Sequence, residues 1–190
     1  YMATPDGLSM QRLFQSTAII GAFAWSPDGR HIAYETIADS TVPFRPAGLW
    51  VMDAAGGGQR RIALADGGHG FAPAWSPDGT RLAFVARLNP ADPQANASAG
   101  ALVSAVRVVS LASGTLTTVA APDQTGQPRN IDPAWQPDGT LTFTAMAAST
   151  GYGAALAPTA LWRATHLGHT LRLARVPAAF SLVASVTLVP

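Results

Sequence analysis

Composition and charge already limit what kind of protein this sequence encodes. The chain has 190 residues, of which 48% are hydrophobic and 12% are charged, and its formal net charge is +1. A chain of this length and hydrophobicity can bury a substantial core and is not typical of a disordered protein. The near-neutral charge, without any basic run, argues against a nucleic-acid surface. The absence of cysteine excludes disulfides and thiolate metal sites, and no apolar run approaches the ~18 residues of a membrane-spanning helix.

In chain order, the first segment matches the second half of a unit that recurs later. Residues 1–7 followed by 11–14 resemble residues 51–57 followed by 60–62. If the four strands of a unit are called A to D, residues 1–17 are predicted to form strands C and D of a half unit. A start inside a unit, without an initiating methionine, favours a piece of a longer array. The alternative is that the two ends of the chain pair and close a small ring.

Three complete units follow, and they share one signature. Trp25, Trp75 and Trp135 each end a strand A and precede a Pro-Asp-Gly turn, in the sequences WSPDG, WSPDG and WQPDG. Proline presets the backbone of such a turn and glycine tolerates a positive φ. Alternating strands B, C and D then complete each unit. The predicted units span residues 22–65, 72–120 and 131–176, and residues 178–190 are predicted to begin a partial unit.

Units of ~40–50 residues with several short strands are the sequence sign of a β-propeller. We therefore predict an all-β fold of four-stranded antiparallel blades, with about four blade equivalents in this chain. The tryptophans of the signature are expected to lie in the core between blades. The turn residues are predicted to be structural; they are Asp28, Gly29, Asp78, Gly79, Asp138 and Gly139.

The signature, with its Ile-Ala-Phe-like strand B and Leu-Trp-Val-Met-Asp-like strand C, resembles the WD40-like (PD40-type) repeat of the TolB-like propeller family. The resemblance covers nearly the whole chain and implies the scaffold rather than the function. Members of the family include periplasmic partner-binding proteins and the substrate-gating propellers of prolyl-oligopeptidase-like peptidases. The chain departs from the pattern at Gln136, where serine is usual.

The loops indicate where a function would lie. Strand direction alternates, so the B–C and D–A connections share one face of the units, and on that face the connections are long. Insertions gathered on one face of a repeat scaffold are typical of a binding face, although neutral drift of loops is the alternative. The candidate residues on this face are Phe44, Arg45, His69, Asn89, Asp92, Asn96, Asp123, Arg129, Asn130 and Tyr152.

Three functions stay open on the sequence alone. The first is a non-catalytic scaffold that is extracytoplasmic and docks a protein partner or neighbouring subunit on the long-loop face. The second is a propeller that gates substrate for a hydrolase domain outside this chain, and the third is a glycan-binding propeller. We expect no catalytic residues, no metal, no cofactor and no nucleic-acid partner in this chain.

Overall fold

A computed structural model describes residues 1–66, 71–148, 159–166 and 169–176, and strands dominate these ranges. The first two strands, β1 (Met2–Ala3) and β2 (Met10–Gln11), form an antiparallel hairpin. Three four-stranded antiparallel sheets follow, each with its strands in chain order. The first consists of β3 (Ile19–Trp25), β4 (His31–Ile37), β5 (Ala47–Asp53) and β6 (Arg60–Ala65). The second consists of β7 (Ala74–Trp75), β8 (Arg81–Arg87), β9 (Ser104–Ser110) and β10 (Leu116–Ala120). The third consists of β11 (Arg129–Trp135), β12 (Leu141–Met146), β13 (Thr159–His166) and β14 (His169–Val176). The prediction of four-stranded propeller blades is confirmed.

Each Pro-Asp-Gly turn is held by hydrogen bonds within its own few residues. In the first turn, Asp28 accepts from the Ser26 hydroxyl at 2.6 Å and from the Arg30 N–H at 3.0 Å. Gly29 has a φ of +69°, a conformation that glycine adopts without a steric penalty. The third turn has Gln136 in place of serine, and there the Thr140 hydroxyl donates to Asp138 at 2.6 Å instead. A threonine after the glycine therefore supplies the hydroxyl that the departure from the pattern removes.

Successive sheets pack face to face through two hydrophobic clusters. The cluster between the first and second sheets includes Leu49, Trp75 and Phe84, and the cluster between the second and third includes Val106 and Phe143. A repeated hydrogen bond joins the blades across these interfaces. The indole N–H of Trp75 donates to the Ala24 carbonyl at 3.0 Å, and that of Trp135 donates to the Ala74 carbonyl at 3.1 Å. Trp75 and Trp135 thus each join their blade to the first strand of the preceding blade.

Trp25 differs from this arrangement. It was expected in the core between blades, but its side chain is 42% exposed, whereas Trp75 is 8% exposed. Strand β3 lies beside Trp75 of β7 and accepts its indole hydrogen bond. No described strand lies beside Trp25 in the same way, and Trp25 is therefore exposed. Ile19, Ile20 and Phe23 on the same strand are also exposed.

The N-terminal segment covers another part of the first sheet. Leu13 and Phe14 pack against the buried side chains of Ile32, Tyr34 and Met52. The rings of Phe14 and Tyr34 lie 5.0 Å apart between centroids. The predicted partial unit at 178–190 lies outside the described residues. No helix within the described ranges is long and apolar enough to cross a membrane.

The two faces of the blades differ as the loop lengths predict. The A–B and C–D turns form a short-turn face. The opposite side, called the long-loop face here, carries the B–C connections 38–46 and 88–103 and the D–A connections that lead into β7 and β11. Short helices lie within two of these connections, α1 (Pro93–Ala97) and α2 (Pro122–Thr125).

Candidate functional site

Hydrogen bonds join the long connections of the first two blades to each other. Arg87, at the end of β8, donates to the Phe44 carbonyl at 3.0 Å and lies 3.5 Å from Oδ1 of Asn96. The Phe44 N–H in turn donates to the Asn96 carbonyl at 3.0 Å. One arginine and one backbone bond therefore combine the loops 38–46 and 88–103 into a single surface.

The second of these loops is also ordered from within. Asn89 donates to the Ala101 carbonyl at 2.9 Å and to Asp92 at 3.2 Å, and it accepts from the Val103 N–H at 3.1 Å. Asp92 caps α1 by accepting from the Gln94 N–H at 2.9 Å. A loop with this many internal hydrogen bonds presents its exposed side chains in a fixed arrangement, which lowers the entropic cost of binding.

Beneath this surface lies a group of buried charged side chains, which we call the inter-blade charge cluster: Glu35, Asp66, Arg87 and Arg129. Arg87 donates to Oδ1 of Asp66 through Nε at 3.0 Å and through Nη2 at 2.6 Å, and both side chains are fully buried. Glu35 comes from the end of β4, and Arg129 is the first residue of β11. All four lie at strand ends on the long-loop face, so that the cluster draws on three blades.

Glu35 is 1% exposed, and its Oε1 has no hydrogen-bond partner among the described groups. Burial, together with the negative charge of Asp66, raises the pKa of Glu35 to about 8. Low-dielectric surroundings disfavour the charged carboxylate, and a like charge nearby disfavours it further. Glu35 is consequently protonated in the folded protein at neutral pH.

Arg129 is 5% exposed, and its Nε has no hydrogen-bond partner in the described part of the chain. Burial lowers the pKa of Arg129; the charge of Asp66 raises it and that of Arg87 lowers it. A guanidinium remains protonated under such shifts because its ordinary pKa is so high. The cluster therefore contains a buried cation with one N–H donor, Nε, that has no partner among the described groups.

Two of the predicted face residues are placed differently from the sequence expectation. Arg129 and Asn130 were expected as exposed loop residues, but both are buried in β11. Asn130 donates to the carbonyls of Ser104 and Gln127 at 3.2 and 3.1 Å, and its N–H donates to the Ser104 hydroxyl at 3.1 Å. Asn130 therefore joins β11 to the start of β9. Strand β11 begins two residues earlier than the sequence pattern indicates, because Arg129 and Asn130 pair with Met146 and Ala145 of β12.

The other predicted residues keep their positions on the long-loop face. Arg45 and Asp123 are exposed, and Phe44, Asn89 and Asp92 are half-buried. His69 and Tyr152 lie outside the described residues. Val42 and Leu88, which the sequence did not single out, add exposed apolar groups to the same surface, with 40% and 37% of their areas exposed.

Sequence reasoning missed Glu35, Asp66 and Arg87. Signals for two of them were present: Glu35 is the only glutamate in the chain, and Arg87 ends a strand whose preceding residues are nearly all apolar. A charged residue in such a run can mark a buried ion pair, but the partner belongs to another blade and is distant in sequence.

The acids of the short-turn face are engaged within the scaffold. Hydrogen bonds from Ser76 and from the Thr80 backbone N–H lower the pKa of Asp78 to about 2. Asp138 pairs with Arg163 of the neighbouring strand. Within the described ranges, no group of three or more His, Asp or Glu side chains is arranged to hold a metal ion.

Comparison with known proteins agrees with the repeat pattern. No protein-family model matches the chain. The Tol-Pal system protein TolB of Alcanivorax borkumensis is 35% identical over 83 residues, which are 44% of this chain and 18% of that protein. Part of this chain is therefore similar in sequence to a TolB protein. The TolB protein of Chromobacterium violaceum is 43% identical over 58 residues, 30% of this chain and 12% of that protein. The aligned parts thus span less than a fifth of either curated relative.

Solved structures agree with the β-propeller architecture. A prolyl endopeptidase structure superposes with a TM-score of 0.60 at 19% identity, covering 92% of this chain and 24% of the endopeptidase chain. An oligogalacturonate lyase, solved in complex with manganese, superposes with a TM-score of 0.52 at 16% identity, covering 86% of this chain and 40% of the lyase. At these identities the likeness concerns the fold alone.

Proposed function

We propose that this chain is a non-catalytic binding propeller that docks a protein partner or neighbouring subunit on its long-loop face. The observation that carries the proposal is the fastening of loops 38–46 and 88–103 by Arg87. Two insertions from different blades, held in one conformation, make a continuous preorganised surface, and a preorganised surface loses little entropy on binding.

The exposed groups on that surface are those that protein interfaces favour. Val42 and Leu88 supply apolar area, the half-buried Phe44 supplies an aromatic ring, and Arg45 supplies a guanidinium. Aromatic and arginine side chains are enriched in the parts of interfaces that contribute most to affinity. The resemblance to TolB supports an extracytoplasmic location for this binding, because the family it implies includes periplasmic partner-binding proteins.

The proposal is tested by placing a photoreactive residue at Val42 or Leu88 of the full-length protein in its native host. Leu116 is the matched control, because it is equally apolar and 46% exposed but begins β10 at the short-turn face. We expect defined protein adducts from Val42 and Leu88 and none from Leu116. Adducts that form equally well from all three positions, or from none of them, would contradict a docking surface on the long-loop face.

The same experiment distinguishes the proposed function from the alternative, a propeller that gates substrate. If the propeller gates substrate for a hydrolase domain of a longer chain, the cross-link from Val42 or Leu88 joins two parts of the same polypeptide. Peptide mapping of the adduct distinguishes that result from a bond to a second protein.

A further inference from the structure

A cavity of about 410 Å³ lies between the second and third blades, at their short-turn ends. Both blades supply its walls, and most of the wall side chains are buried and apolar. The residues that form the walls are Arg81, Val108, Val119, Trp135, Leu141 and Ala164. A cavity of a few hundred Å³ with apolar walls and few polar groups is typical of a site for a small molecule.

The packing of the preceding interface shows why there is space here. In the second blade, Val109 lies opposite Leu82 and belongs to the cluster between the first and second blades. In the third blade, Ala164 takes the same place, opposite Leu141. Alanine has two carbon atoms fewer than valine, and a close-packed interior responds to the loss of a single methyl group. The third blade therefore leaves open part of the space that the second blade fills.

The cavity also contains a positive charge. Cζ of Arg81 lies 4.6 Å from the centroid of the Trp135 ring, so that the guanidinium covers the indole. Stacking of this kind occupies the flat face of a guanidinium and leaves the N–H donors at its edge. Arg81 forms no ion pair with the residues that the structure describes. Its edge donors are consequently available to a ligand in the cavity.

The acids of the neighbouring turns are engaged elsewhere. Asp78 accepts from the Ser76 hydroxyl at 2.5 Å and from the Thr80 N–H at 3.1 Å. The charge of Arg81, by contrast, is the smallest of the effects that lower the pKa of Asp78. Asp138, next to the cavity residue Gly139, pairs with Arg163. Neither carboxylate neutralises the guanidinium, and an anion is therefore the complementary ligand.

We propose that this cavity binds a small aromatic carboxylic acid. The carboxylate receives two parallel hydrogen bonds from the edge of the Arg81 guanidinium, an arrangement that this planar group favours. The aromatic ring lies against the apolar walls, and its flat shape suits a gap between two sheets that pack about 10 Å apart. The site is at the opposite end of the blades from the long-loop face and does not depend on the function proposed there.

The first test compares two probes of nearly equal shape on the isolated full-length protein. Fluorophenylacetate carries the carboxylate, and fluorophenylacetamide replaces it with a neutral amide. Binding of each probe is followed by fluorine NMR. We expect a Kd of about 1 mM or lower for the acid. The amide should bind at least about 10-fold more weakly, because it loses the charge-assisted hydrogen bonds.

The second test uses variants of the cavity wall. Ala164→Val introduces the side chain that Val109 has at the preceding interface, and it should weaken binding of the acid at least about 10-fold without lowering Tm. Arg81→Met should weaken it to a similar extent. Arg30→Met is the matched control, because Arg30 is an exposed arginine in the corresponding turn of the first blade. Its Kd should stay within about 2-fold of the wild-type value.

Three outcomes would overturn the proposal. One is equal affinity for the acid and the amide, and another is wild-type affinity in Ala164→Val. The third is the absence of binding with a Kd below about 10 mM. A protein adduct at Leu116 alone, the short-turn control position of the cross-linking experiment, would instead assign this face to a macromolecule and also overturn the small-molecule site. The function proposed for the long-loop face is decided separately by the adducts at Val42 and Leu88.

Discussion

Replacing Glu35 by glutamine should change the pH dependence of stability. In the unfolded chain this carboxyl has a pKa near 4.5, whereas burial and the charge of Asp66 raise it to about 8 in the folded protein. Between these values the unfolded state releases a proton that the folded state retains. The free energy of unfolding therefore falls as the pH rises through this range. Glutamine is nearly isosteric with the protonated acid and does not titrate.

The magnitude follows from the shift. One pKa unit corresponds to about 1.4 kcal/mol, so that a rise from 4.5 to about 8 corresponds to up to about 5 kcal/mol. The stability of Glu35→Gln relative to the wild type should increase by that amount between pH 4.5 and pH 8. The charged neighbours in the cluster, Asp66, Arg87 and Arg129, are unchanged in the variant.

The assay is urea unfolding of both proteins across this pH range, followed by tryptophan fluorescence. Asp39→Asn is the control, because Asp39 is an exposed carboxylate in the loop after the same strand; it should follow the wild-type curve. Parallel curves for Glu35→Gln and the wild type would refute the reasoning, since they would mean that Glu35 is ionised in the folded protein.

Three further predictions concern the scaffold. Trp75→Phe should cost about 1–3 kcal/mol in urea unfolding, because it removes the indole hydrogen bond to the preceding blade. Trp25→Phe should cost less than about 0.5 kcal/mol because Trp25 is 42% exposed. Equal costs for the two variants would contradict the role of the indole bond. Gly56→Ala should lower Tm by more than Gly139→Ala: both have positive φ, but a Cβ at Gly56 would lie 2.1 Å from a backbone carbonyl oxygen, whereas Gly139 faces open space. Asp78→Asn should cost about 1 kcal/mol of unfolding free energy at neutral pH, because the lowered pKa of Asp78, about 2, stabilises the folded protein above pH 3.8. This stabilisation is lost as the pH falls towards 2. A cost that persists unchanged at pH 2 would speak against this titration.

Local sequence was enough to predict the blades. A Pro-Asp-Gly turn or an alternating strand is recognised from a few consecutive residues. The structural role of Asp28 and Gly29 can therefore be predicted from their neighbours alone. The same pattern located the long connections, and it placed Phe44 and Arg45 on the face where the structure has them.

The placement of Trp25, Arg129 and Asn130 could not be predicted in this way. Nothing in the neighbouring sequence distinguishes these three positions. Their burial depends on whether another blade packs against them, and the described residues include such a blade for Arg129 and Asn130 but not for Trp25. Trp25 has the same sequence context as Trp75 and yet is exposed. Asn130 is fixed by Ser104, which is 26 residues away.

The sequence by itself determined the type of blade, the turns between its strands and the face on which the insertions gather. Only the tertiary structure decided that Glu35, Asp66, Arg87 and Arg129 meet at the base of that face. Turn chemistry and strand periodicity are properties of neighbouring residues, which a sequence displays directly. The ionisation of a buried group depends on charges brought close by packing between blades, and those charges stand up to about 90 residues apart in the chain.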